Sequence, residues 1–134
     1  MVTDIHMEVI RARSVCESDS RLARIVCGKL FQMPAGAINL LVIVTDQPLL
    51  TDTGLSSLLQ RADSKDEEYF LKQGFVGSKG FLRYYNRLSG VLIRTEDALA
   101  SASRLVWLNA RATHPIPVDL RRMLETLPFV DRIP

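Results

Sequence analysis

Thiols are scarce in this chain: 134 residues carry two cysteines, Cys16 and Cys27, eleven positions apart and without a CxxC pair. That excludes a disulfide framework and a zinc site of paired ligands, and it fits reduced thiols in a cytoplasmic protein. Long apolar runs are also missing. The longest, Leu40 to Val44, is far short of the ~20 residues that cross a bilayer, so no membrane partner is expected. The opening MVTDIHMEVI places Asp4 and Glu8 inside what would be the apolar part of a secretion signal. No charge of one sign prevails either, since 17 basic and 15 acidic residues leave a net charge of +2. The global field therefore selects neither nucleic acid nor an anionic membrane. No linker, repeat or low-complexity tract interrupts the chain, and residues 1–134 read as one globular domain.

What is present is a chain 47% hydrophobic, long enough to bury about two-thirds of its unfolded surface without metal or disulfide support. Residues 4–11 alternate Ile5, Met7 and Val9 against His6, Glu8 and Ile10, the period of a strand with one buried face. Caps between Cys16 and Ser20 precede Leu22, Ile25, Val26, Leu30 and Met33 at helical spacing, and Pro34 and Gly36 end that helix. The run from Ile38 to Thr45 is apolar on both faces, as in a central strand covered on two sides. Strand, helix and buried strand in this order predict a β-α-β unit with parallel strands.

Thr51 and Asp52 can cap a helix bearing Leu55, Leu58 and Leu59; a short helix over Glu67–Leu71 and another over 78–88 follow. Gly90–Arg94 and Leu105–Asn109 read as a strand pair, and Pro117 starts a closing helix that Pro128 ends. The expected fold class is α/β, with α+β as the variant: a single mixed sheet of about four strands, a helical middle and a C-terminal helix.

Candidate chemistry is sparse. Asp52-Thr53-Gly54 resembles the active-site triplet of retroviral-type aspartic proteases, but those are almost all β, and a capping Asp is the reading preferred here. Hydrolysis by a serine or cysteine needs a base, and His6 and His114 have no recognisable partners; there is no G-x-S-x-G elbow. Cys27 falls on the apolar side of its helix. Gly74–Gly80 contains Gly-Ser-Lys-Gly without the spacing of a phosphate loop. No cofactor and no metal site is expected.

The local charge pattern is more informative. From Lys72 to Arg94 there are five cations and no acid, directly after Asp63, Asp66, Glu67 and Glu68. On a helix over 78–88, Lys79, Arg83 and Arg87 form one stripe with Tyr84 beside it. Such a stripe can grip phosphates and stack a base, or meet an acidic protein; it is also what the solvated face of an amphipathic helix looks like. Lys79, Arg83, Tyr84 and Arg87 are the candidate binding residues.

Around Glu8-Val9-Ile10, strand, helix and buried strand resemble the second half of the PD-(D/E)XK nuclease core over residues 4–46. The resemblance implies that Glu8 stands at the acid of the family's acid-x-Lys pair. The lysine position holds Ile10, and the strand that supplies the family's other metal-binding acid is missing ahead of Asp4, so a truncated, catalytically dead version is expected. A sheet that starts this way leaves an edge uncovered, which predicts a homodimer. The function expected is a non-catalytic, self-associating binding module. The alternative is a divalent-metal nuclease or other nucleic-acid-processing enzyme using Glu8.

Overall fold

The computed structural model describes residues 4–11, 19–45, 53–95 and 104–126. They form β1 (Asp4–Arg11), α1 (Asp19–Leu30), β2 (Ala37–Thr45), α2 (Thr53–Asp63), α3 (Glu67–Lys72), α4 (Gly77–Tyr85), β3 (Leu88–Thr95), β4 (Arg104–Leu108) and α5 (Val118–Thr126). One mixed sheet has the order β1-β2-β3-β4, in which the first three strands are parallel and β4 is antiparallel to β3. The α/β class, the parallel β-α-β start and the strand pair are as expected from the sequence. The segment 96–103, expected to join the strand pair, lies outside the described residues.

Strand order explains where the helices lie. Each step from β1 to β2 to β3 moves one place in the same direction, so right-handed crossovers send both connections to one side of the sheet. The larger core is there. Leu22, Val26, Cys27 and Leu30 of α1, Leu55 and Leu58 of α2, Phe70 of α3, and Phe81 and Tyr85 of α4 close over Leu41, Ile43, Val91 and Ile93. Phe70, Phe75, Phe81 and Tyr85 interlock as stacked and edge-on rings with centroids 4.5–6.5 Å apart. Such aromatic contacts add directional preference to area burial.

On the opposite side, a smaller cluster joins Ile38, Leu40, Val42 and Leu92 to Ile116, with Leu120 and Leu124 of α5 packed against it. β2 is therefore buried at all nine positions, as its two-sided apolar run requires. Among the described residues no helix is long and apolar enough to cross a membrane.

A buried polar knot ties the amino ends of the central strands together. Asn39 Nδ2 donates to the carbonyls of Pro34 (2.9 Å) and Arg87 (2.8 Å), and its own backbone N–H donates to Ser89 Oγ at 3.0 Å. Ser89 Oγ–H in turn donates to His114 O at 2.7 Å. Asn109 Nδ2 serves Tyr85 O and Leu88 O at 3.0 and 2.7 Å. The pairing of β2 with β3 shifts register between Asn39 and Leu40, where the ladder would otherwise supply these bonds. Side-chain amides thus satisfy carbonyls that secondary structure leaves over.

Candidate interaction surface

β1 is an edge strand. Its eight residues pair with β2 in unbroken register from Asp4↔Ala37 to Arg11↔Val44, and among the described residues no strand pairs with its outer side. Natural edges are commonly blunted by proline, a bulge or shortness. β1 has no proline or glycine and no bulge, and it is as long as β3; of the charged side chains that also blunt edges it carries Asp4, Glu8 and Arg11.

The more apolar face is the open one. Ile5, Met7 and Val9 retain 52%, 41% and 51% of their surface in solvent, and they flank Ile38, Leu40 and Val42 on the α5 side of the sheet. The alternation was legible; its polarity was not. Both crossovers go to the other side, and α5 covers the cluster centred on β2 and β3 and packs against β4, the strand farthest from β1. The even residues face the helical layer, where Ile10 packs against the main core. His6 and Glu8 are partly buried there, with His6 Nε2 3.0 Å from Glu8 Oε1.

The five cations of the basic segment are spread over α3, α4, the turn after it and β3. Lys72 belongs to α3 and pairs with Glu68 at 3.3 Å. Lys79 and Arg83 are exposed on α4. That helix ends at Tyr85, short of the expected Leu88, because the chain must turn to enter β3 at Leu88. Arg87 therefore leaves the helical stripe. Its guanidinium lies 4.9 Å from the Tyr84 ring centre and donates to Met33 O at 3.3 Å. Tyr84 is itself packed against Phe31 and Phe75, with centroids 5.0 and 6.0 Å away. Arg94 is buried in β3, paired across from Val44 of β2.

Two of the acids before this segment, Asp66 and Glu67, accept from N–H groups at helix starts. Asp66 Oδ1 accepts from Tyr69 N–H at the start of α3 and its other oxygen from Arg61 at 2.8 Å. Glu67 reaches across to α4, where Ser78 N–H and Oγ–H donate to its carboxylate at 3.0 and 2.5 Å. These bonds hold the Glu67 carboxyl below its ordinary range. Gly77 makes the approach feasible: its φ is +68°, and a Cβ there would stand 2.1 Å from Glu67 Oε2. The helix end that a phosphate loop would offer to a ligand is thus occupied by a side chain of the chain itself.

Other candidate chemistry is placed as follows. Among the described residues no group of three or more His, Cys, Asp and Glu side chains is arranged to hold a metal ion. Glu8, which carries the nuclease-like resemblance, has His6 as its neighbour. Burial pushes the Cys27 thiol up to about 12, which suits a core residue and opposes a nucleophile. Asp52 and Cys16 lie outside the described residues. His114 is tied in through its carbonyl, which accepts from Ser89.

Compared with protein-family models, with curated proteins and with solved structures, the chain gives no match.

Proposed function

We propose that this chain is a non-catalytic, self-associating interaction module whose principal contact surface is β1. One observation carries the reading: a full-length strand at the sheet edge combines a backbone free of proline and bulge with three half-exposed apolar side chains, Ile5, Met7 and Val9. An edge of this kind is a template for another strand. A contact surface within 72–94 has less support, since the five cations of that segment are spread over α3, α4, the following turn and β3.

Light scattering coupled to size-exclusion chromatography tests the proposal. The expected result at micromolar concentration is a dimer that Val9→Lys converts to a monomer with unchanged far-ultraviolet circular dichroism. A wild-type chain that stays monomeric overturns the reading. Binding to oligonucleotides with a steep salt dependence would favour a nucleic-acid role instead, because each neutralised phosphate adds about 0.7–0.9 to the slope. With only Lys79 and Arg83 exposed together on α4, a slope of about 2 or less is expected from that helix.

A further inference from the structure

Resting on that self-association, we infer that two copies join through β1 in one antiparallel register, with Met7 on the twofold axis, so that two four-stranded sheets become one of eight. Two copies of one edge strand become antiparallel neighbours only through a twofold axis perpendicular to the sheet, and such an axis keeps each sheet face on its own side. Odd residues of β1 therefore meet odd residues, and even meet even. The axis must pass through a residue, and three central positions are available: His6, Met7 and Glu8.

Charge separates them. An axis at His6 sets Asp4 opposite Glu8 of the second copy, twice. An axis at Glu8 stacks that carboxylate on itself and places Ile5 against Arg11. Like charges directly opposite one another are destabilising, and opposite charges or apolar pairs are favourable. An axis at Met7 does what the other two do not. His6 faces Glu8 of the second copy in both directions, Ile5 faces Val9 in both directions, and Met7 meets Met7. Each Glu8 then has two imidazoles beside it, its own at 3.0 Å and that of the second copy. On the α5 side, two half-exposed apolar stripes become one continuous band. The remaining pair, Asp4 with Ile10, falls at the ends of the strands, where Asp4 stays in solvent and Ile10 stays in its own core.

Single cysteines on β1 in a Cys16→Ser background test the register, with Cys27 left buried. Facing residues of antiparallel strands have Cα atoms about 4.5–5.5 Å apart, within the range a disulfide bridges. Met7→Cys is expected to form a linked dimer on mild oxidation. Ile5→Cys and Val9→Cys are each expected to stay unlinked alone, since four residues along a strand separate the symmetry copies by about 13 Å; mixed together, they are expected to link. A dimer by light scattering in which Met7→Cys does not link, or in which Ile5→Cys or Val9→Cys links to itself, overturns the register and leaves self-association standing. A monomer overturns both. All three positions are half-exposed, so the variants keep the core intact.

Discussion

Replacing Asn39 with alanine removes the centre of the knot at the amino ends of the strands. The side chain is fully buried, and its amide donates to Pro34 O and Arg87 O at 2.9 and 2.8 Å. Each such bond contributes about 1 kcal/mol net, and each carbonyl left without a donor costs about 1–3 kcal/mol, toward the lower end here because both sites are only partly buried. Two bonds and two carbonyls give a loss of about 4 kcal/mol. For a domain of this size, 1 kcal/mol moves Tm by about 4 °C, so Asn39→Ala should melt about 15 °C below the parent. Differential scanning calorimetry measures this directly. Asn39→Asp separates hydrogen bonding from shape, because it keeps the volume and turns two donors into acceptors facing two carbonyls. Its carboxyl can donate to one carbonyl only when protonated, which raises its folded pKa above the unfolded value. The variant should therefore lose least near pH 4 and progressively more as pH rises. An alanine variant melting within 2 °C of the parent, or an aspartate variant indifferent to pH, would refute the assignment of the knot as a structural clamp.

Two buried groups give further outcomes. Trp107 Nε1–H donates to the buried Tyr85 hydroxyl at 2.9 Å, so Tyr85→Phe should cost about 1 kcal/mol and change the emission of the protein's single tryptophan. An unchanged spectrum and Tm would show that this bond holds nothing. Cys27, with its thiol pushed up to about 12 in the fold, should resist alkylation at pH 8.5 until urea unfolds the chain. Because the folded pKa exceeds the unfolded one, its contribution to stability is complete below about pH 9 and is lost as pH rises toward 12. Cys27→Ala should remove part of that alkaline slope in thermal melts.

Much of the architecture was legible because it depends on short-range pattern. The two-sided apolar run of β2, the helical spacing that puts Cys27 in the core, and the Pro34–Gly36 stop each report a local requirement, and each stands where expected. What misled was the step from pattern to surroundings. Alternation in β1 says that two faces differ, and hydrophobicity alone nominates Ile5, Met7 and Val9 as the inner one. The direction of both crossovers and the position of α5 decide otherwise, and those are properties of the sheet. The length of the helix under the basic stripe was misjudged for a similar reason. Helical spacing links Lys79, Arg83 and Arg87 only while the helix continues, and the entry into β3 ends it at Tyr85. Glu67 was counted as one acid in a run, yet it acts eleven residues away on Ser78. The signal for that contact was Gly77, whose missing side chain makes room for the carboxylate.

The order β1-β2-β3 has a further meaning. In doubly wound sheets, small ligands lodge where one crossover departs to the front and its neighbour to the back, prising two loops apart into a crevice. Here both crossovers leave to the same side and no such parting is made between the parallel strands. A sheet wound in one direction has a finishing end and a starting end, and among the described residues this one starts at β1. If β1 is the contact surface proposed above, that end is a seam along which a second chain is added, and its specificity would be written in the sequence Ile5-His6-Met7-Glu8-Val9.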